Sequence, residues 1–272
     1  MISPSPTFPG MTVQTLSSLL RLAVGLTAMA IGATLAAVAM LLCLPWRVAR
    51  VRVGNYFGKT VCRLMVFLSG CPLTVCGREH LDRHRPAIYV SNHTSIMDIF
   101  IAAWLSPIGT VGVAKKEVVY YPFFGQLYLL SGHLRIDRDN STSARASLAK
   151  LGETVRKRRL SIFLWPEGTR SRDGHLLPFR KGLVYLAAQT GLSVVPFVVK
   201  GAQRAWVKHS LLMRRVPIEI EVLPPIDTSE WSVEHTNEAI EQVHARFRDV
   251  LPDDQQPLDR SADTSPRHAA SG

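Results

Sequence analysis

His93 and Asp98 stand five positions apart in the run Ser91-Asn92-His93-Thr94-Ser95-Ile96-Met97-Asp98. Such a pair can do general-base chemistry. A carboxylate folded back onto the imidazole accepts a hydrogen bond from Nδ1–H, fixes the tautomer and leaves Nε2 free to accept a proton. A plainer reading of the same residues is also open: Ser95-x-x-Asp98 fits a helix capping box, with His93 an ordinary loop histidine. A second polar run, Trp165-Pro166-Glu167-Gly168-Thr169-Arg170-Ser171, has the composition of an anion site. Gly168 lets a backbone come close to a ligand, Thr169 supplies a hydroxyl, and the planar fork of Arg170 matches phosphate oxygens. Between the two lies Gly132-His133-Leu134-Arg135-Ile136-Asp137-Arg138.

The flanking residues indicate what must hold these groups. Ala87-Ile88-Tyr89-Val90 is a run of β-formers, and Ile99 to Trp104 reads as a buried helix, so His93 falls where a strand gives way to a helix. Ser161-Ile162-Phe163-Leu164 is a second strand, which puts Glu167 to Arg170 in another strand-end loop. Val195 to Val198 lies in a third β-like run. In open α/β sheets ligands bind beyond the carboxyl ends of parallel strands, so the two loops would face one edge.

The order and spacing of these motifs resemble the glycerolipid acyltransferases, specifically the bacterial 1-acyl-sn-glycerol-3-phosphate acyltransferases. The resemblance extends to Ala114-Lys115-Lys116, Pro122 to Tyr128, Lys157 to Ile162, Leu177-Pro178-Phe179-Arg180-Lys181-Gly182 and Leu223 to Asp227, and covers roughly residues 20 to 250. It implies His93 as the general base and Asp98 as its orienting partner. It also implies a glycerol-phosphate site made by Arg138, Glu167, Gly168, Thr169 and Arg170, with Lys115 as a second phosphate contact. Three positions depart from the commoner pattern: Thr94 where Gln is frequent, Trp165 where Phe is frequent, and Arg135 where an apolar residue is usual. The expected substrates are lysophosphatidic acid and an acyl thioester, acyl-CoA or acyl carrier protein. A thioester is already activated, so no covalent acyl-enzyme is needed; no cofactor is expected, and no metal, since Arg138 and Arg170 can neutralise the substrate phosphate. The oxyanion would call for donors such as a backbone N–H at a helix start. The rivals are a family acyltransferase acting on another lyso-lipid, such as a lyso-ornithine lipid, and a non-catalytic protein binding anionic lipids.

Composition bounds the partners. The 272 residues carry a net charge of +11, which points to nucleic acid, anionic lipid or a phosphorylated substrate. No nucleic-acid module is recognisable, and an apolar segment makes a lipid surface the better partner. Cys43, Cys62, Cys71 and Cys76 form no CxxC pair, so neither a zinc site nor a disulfide framework is indicated.

Residues 1–21 read as a disordered N-terminus and 22–70 as membrane-anchor helices. Residues 71–251 read as the acyltransferase domain and 252–272 as a disordered tail. Leu22 to Leu44 contains no charged residue and would reach about 34 Å as a helix, enough to span a bilayer; a signal peptide is the rival reading. Only Arg21 precedes the run, whereas Arg47, Arg50, Arg52, Lys59 and Arg63 follow it. That asymmetry predicts the inner (cytoplasmic) membrane, with the catalytic domain facing the cytoplasm. Arg47 to Gly70 is a two-faced helix, with Arg52, Asn55, Lys59 and Arg63 on one side and Val53, Phe57, Val61, Leu64 and Leu68 on another. It suits a helix on a charged membrane surface or an ordinary core-facing helix. Helices are also expected over 143–159, over 181–190 before Gly191, and around Ile240, Val243 and Phe247. Pro122 to Leu130 would wall an acyl groove or form a buried helix. The alternation of strands and helices predicts an α/β core, with a largely parallel or mixed sheet flanked by helices.

Overall fold

A computed structural model describes residues 13–81, 86–120, 124–136, 141–206, 210 and 212–258. Seven strands form one sheet: β1 (Leu73–Cys76), β2 (Ile88–Ser91), β3 (Thr110–Lys115), β4 (Leu134–Ile136), β5 (Ser161–Leu164), β6 (Val194–Lys200) and β7 (Ile218–Val222). Their spatial order is β1-β7-β6-β2-β5-β3-β4. Five neighbouring strands, β6 to β4 in that order, run parallel, whereas β7 is antiparallel to β6 and carries β1 with it. The sheet is therefore mixed, with a parallel centre.

Parallel strands buried on both faces read as unbroken apolar runs, and β2, β5 and most of β6 are buried throughout. Alternation sorts their side chains. Ile88, Val90, Ile162, Leu164 and Val198 face helices α5 (Ser141–Arg158), α6 (Gly182–Thr190) and α7 (Thr236–Arg248). Tyr89, Phe163, Val195 and Phe197 face α2 (Arg47–Ser69) and α3 (Met97–Leu105). Helix α6 stops at Gly191, whose φ of 66° is the left-handed closing conformation that glycine adopts without strain. Pro122 to Leu130 resolves, from Phe124 on, into helix α4 (Phe124–Leu130), whose Leu127 packs on Ala33, Ala36 and Met40. Residues 121–123 lie outside the described residues.

Regular structure extends closer to both termini than composition indicates. Helix α1 runs from Val13 to Leu42, so 13–21 belong to it rather than to a disordered N-terminus; residues 1–12 lie outside the described residues. The polar residues of this stretch find partners across the fold. Ser18 Oγ accepts the Met213 N–H at 3.1 Å, and Arg21 Nη1 donates to the Ser69 carbonyl at 3.2 Å. The tail likewise begins later than Pro252. Asp253–Gln255 makes a 3-10 turn, and the buried Gln255 accepts the Gly201 N–H at 2.8 Å and donates to the Val199 carbonyl at 3.3 Å.

Helix α2 corrects the two-faced reading of its sequence. Part of its polar stripe points into the protein. Asn55 accepts the Gly109 and Thr110 N–H groups at 2.7 and 3.0 Å and donates to the Thr110 carbonyl at 3.0 Å. Lys59 donates to the Trp104 carbonyl, Arg50 to that of Leu130 and Arg47 to that of Gly132. Trp104 and Leu130 lie in the last turns of α3 and α4 and Gly132 follows α4, so these basic side chains cap chain segments just where helices end. Arg52 stays exposed.

Candidate active site

The registers of the central strands bring the two motifs together. Val90 of β2 lies opposite Leu164 of β5. His93 and Glu167 each follow three residues later, so they emerge side by side at the same sheet edge. Where the strands stop, buried side chains take over the ladder. Asn92, 1% exposed, donates to the Val199 carbonyl and accepts the Val199 N–H, both at 2.8 Å, which ties the end of β2 to β6. The His93 N–H donates to Glu167 Oε1 at 2.7 Å, and the His93 carbonyl accepts the Ser171 N–H at 2.8 Å. The backbone of His93 is thus clamped on both sides by the loop after β5.

Its ring is held as firmly. Nδ1 lies 3.0 Å from Asp98 Oδ2. Because a carboxylate only accepts, Nδ1 carries the proton and Nε2 keeps its lone pair. The same Oδ2 accepts the N–H groups of Thr94 at 2.6 Å and Ser95 at 2.7 Å. The capping and orienting readings of Asp98 therefore describe one atom doing both jobs. It also means that the amides of Thr94 and Ser95, just ahead of α3, are already engaged and are not free oxyanion donors. Asp98 is 1% exposed and His93 12% exposed at the side chain. One face of the imidazole is covered by the Trp165 indole, with ring centroids 4.6 Å apart and planes inclined by 24°. The small part of the ring left accessible lies away from Asp98 and Trp165, on the side of Nε2.

Glu167 occupies a different place from the one assigned to it. Its second oxygen accepts the Leu177 N–H at 3.2 Å, so the protein's own backbone engages both carboxylate oxygens. It is 2% exposed. Burial pushes its carboxyl up to about 8, outweighing the two N–H groups that pull it down. Gly168 has φ +75°, and a Cβ there would lie 2.7 Å from Arg180 Nε. Its smallness thus serves a tight turn against Arg180, whose own N–H donates to the Pro166 carbonyl at 2.8 Å. Thr169 is exposed and Arg170 half-buried, with Arg170 Nε lacking a protein partner. Lys115 ends β3, two strands from β2 on the same edge, 3.4 Å from Glu117 Oε1. Arg138 lies outside the described residues. Asn92, Trp165 and Arg180 carry structural weight that their residue types alone did not announce.

The sequence profile of the acyltransferase family matches residues 72–200. A 1-acyl-sn-glycerol-3-phosphate acyltransferase of Cocos nucifera is 46% identical over 219 residues, covering 80% of this chain and 70% of that one. The chain belongs to the 1-acyl-sn-glycerol-3-phosphate acyltransferase family. The Escherichia coli member is 40% identical over 152 residues, covering 56% of this chain and 61% of its own. The crystal structure of the 1-acyl-sn-glycerophosphate (LPA) acyltransferase PlsC from Thermotoga maritima superposes with a TM-score of 0.61, over 85% of this chain and 94% of that one. At 22% identity that match speaks for the fold alone.

Family membership gives the His93–Asp98 geometry its chemical context. An acyl transfer to a hydroxyl needs a base of this kind and no covalent intermediate. The same loop pair carries the half-buried Arg170 and the exposed Thr169 hydroxyl, residue types that suit an anionic headgroup.

Proposed function

We propose that the protein transfers an acyl group from an acyl thioester to the sn-2 hydroxyl of 1-acylglycerol-3-phosphate, giving phosphatidic acid. The observation that carries the reading is the hydrogen bond from His93 Nδ1 to the buried Asp98, with Nε2 left at the open edge. Nε2 takes the hydroxyl proton as the oxygen attacks the thioester carbonyl. Asp98 stabilises the imidazolium that forms, and positioned proton transfer of this kind contributes ~10²–10⁴-fold. The tetrahedral intermediate then collapses, its C–S bond breaks and the thiol departs with the proton. The donor is acyl-CoA or acyl carrier protein. Arg170, Thr169 and Arg138 bind the acceptor phosphate, with Lys115 a second cation on the same edge. Glu167 acts beneath that site by fixing both loops, rather than on the phosphate itself.

The enzyme works at the cytoplasmic membrane, with its catalytic edge facing the cytoplasm. Helix α1 supports this: Thr15–Leu42 is long and apolar enough to cross a membrane, and Leu20, Val24, Ile31, Leu35 and Val38 are exposed along it. Purified protein in detergent, given labelled acyl thioester and a panel of lyso-lipids, tests the reading. Labelled phosphatidic acid from lysophosphatidic acid is expected. Label appearing only in a phosphate-free lyso-lipid, or in none, overturns it.

A further inference from the structure

Trp165 precedes Pro166, and a proline confines the residue before it to extended backbone. That restriction, with the β2–β5 register, places the indole flat against the His93 ring. The 4.6 Å separation and 24° inclination are those of an aromatic stack. The indole is itself braced from behind by Phe163, edge-on at 5.2 Å, and Phe163 is locked in turn against Phe197. The Trp165 Nε1–H is buried and has no hydrogen-bond partner. Packing of its faces, not its polar edge, therefore holds it in place.

Asp98 grips His93 in the ring plane at Nδ1, which leaves rotation about that bond as the soft direction. A plate lying on the ring face blocks that rotation. When Nε2 accepts a proton the ring becomes a cation lying on a π face, which the ring quadrupole attracts. We propose that Trp165 is a positioning residue for the base: it fixes the tilt of His93 and stabilises the imidazolium formed during acyl transfer. The inference rests on His93 being the base.

Because Nε1–H makes no bond, Trp165→Phe removes the indole edge at no hydrogen-bond cost and keeps an aromatic face. Trp165→Leu keeps apolar cover and removes the face. Trp165→Leu is expected to lower kcat about tenfold, with donor and acceptor KM within about twofold. Its acid limb in kcat/KM should move down by roughly 0.4–1.5 pH units, since the cation is less favoured without the π face. Trp165→Phe should recover most of both. Protonated imidazole quenches a stacked indole, so the difference in emission between wild type and Trp165→Phe should titrate with pH. That titration should vanish in the His93→Ala protein. Trp165→Leu with wild-type kcat and an unmoved acid limb overturns the inference, as does Trp165→Phe as impaired as Trp165→Leu. A His93→Ala protein with near-normal turnover sinks the base reading underneath, and this inference with it.

Discussion

Replacing Glu167 with glutamine separates the charge of the buried carboxyl from its shape. In the folded protein both oxygens accept backbone N–H groups, from His93 and Leu177. Glutamine keeps one accepting oxygen and turns an NH₂ toward the other N–H. At low pH, where Glu167 is neutral, the variant therefore loses one accepted bond and leaves a buried donor unpaired, at ~1–3 kcal/mol. Wild type is then the more stable protein. As pH rises the comparison changes. A carboxyl held at about 8 in the fold, against 4.5 when unfolded, keeps its proton in the folded state while the unfolded chain releases it. Its contribution is complete below 4.5 and is lost as pH rises through 8. At ~1.36 kcal/mol per pH unit the whole change is on the order of 5 kcal/mol, with ~3 kcal/mol of it between pH 5.5 and 8. Because the group is 2% exposed, solvent screening takes little from that figure.

Glutamine does not titrate, so the stability gap between the two proteins should shrink across this window and close or invert above pH 8. For a chain of this size ~3 kcal/mol corresponds to roughly 6–12 °C in Tm. Thermal unfolding of both proteins in the same detergent, at half-unit steps from pH 5.5 to 9, measures it directly. A gap that stays constant or widens with pH would show a carboxylate ionised throughout, and would refute burial as the dominant influence on Glu167.

Three further outcomes are expected. His93→Ala should abolish labelled-acyl transfer with Tm nearly unchanged, and Asp98→Asn should lose much of the rate while also loosening the Thr94–Ser95 turn, so its Tm should fall as well; turnover near wild type in His93→Ala would remove the base. Arg170→Ala should raise the acceptor KM about ten- to 150-fold, the loss of a ~1.5–3 kcal/mol charge-assisted contact, and change the thioester KM less. Lysine there should rescue only in part because it lacks the planar fork, and an unchanged acceptor KM takes Arg170 out of the phosphate site. In intact cells, a variant whose single cysteine lies beyond Leu258 should resist a membrane-impermeant thiol probe until the cells are permeabilised; labelling beforehand would reverse the orientation.

The sequence shows some of this architecture and hides the rest for physical reasons. Strand β5 is legible to the residue, because Ser161 to Leu164 is a compact apolar run closed by Trp165-Pro166. Strand β4 is missed: three residues with Arg135 pointing outward give no periodicity to read, and among the described residues only β3 pairs with it. The strand-to-helix position of His93 follows from local pattern, and so does the reach of Asp98, since five residues span one turn. What pattern misses is which polar side chain the interior will claim. Asn55 and Lys59 look like a surface stripe at helical spacing, yet both meet buried backbone: the carbonyls of Thr110 at the start of β3 and Trp104 in the last turn of α3, which lie 55 and 45 residues away in the chain.

The same cause explains the site. A parallel sheet that ends in a cleft leaves backbone N–H and C=O groups without strand partners, and burying them unpaired is costly. Here four buried side chains meet that need: Asn92 at Val199, Asp98 at Thr94 and Ser95, Glu167 at His93 and Leu177, and Gln255 at Gly201. Each joins backbone segments that are exposed by the ending of β2, β5 or β6. Two of them, Asp98 and Glu167, hold His93 at the same time. The satisfaction of the sheet edge and the in-plane hold on the base therefore share bonds, and removing the Asp98 carboxylate both releases Nδ1 and leaves the Thr94 and Ser95 amides unpaired.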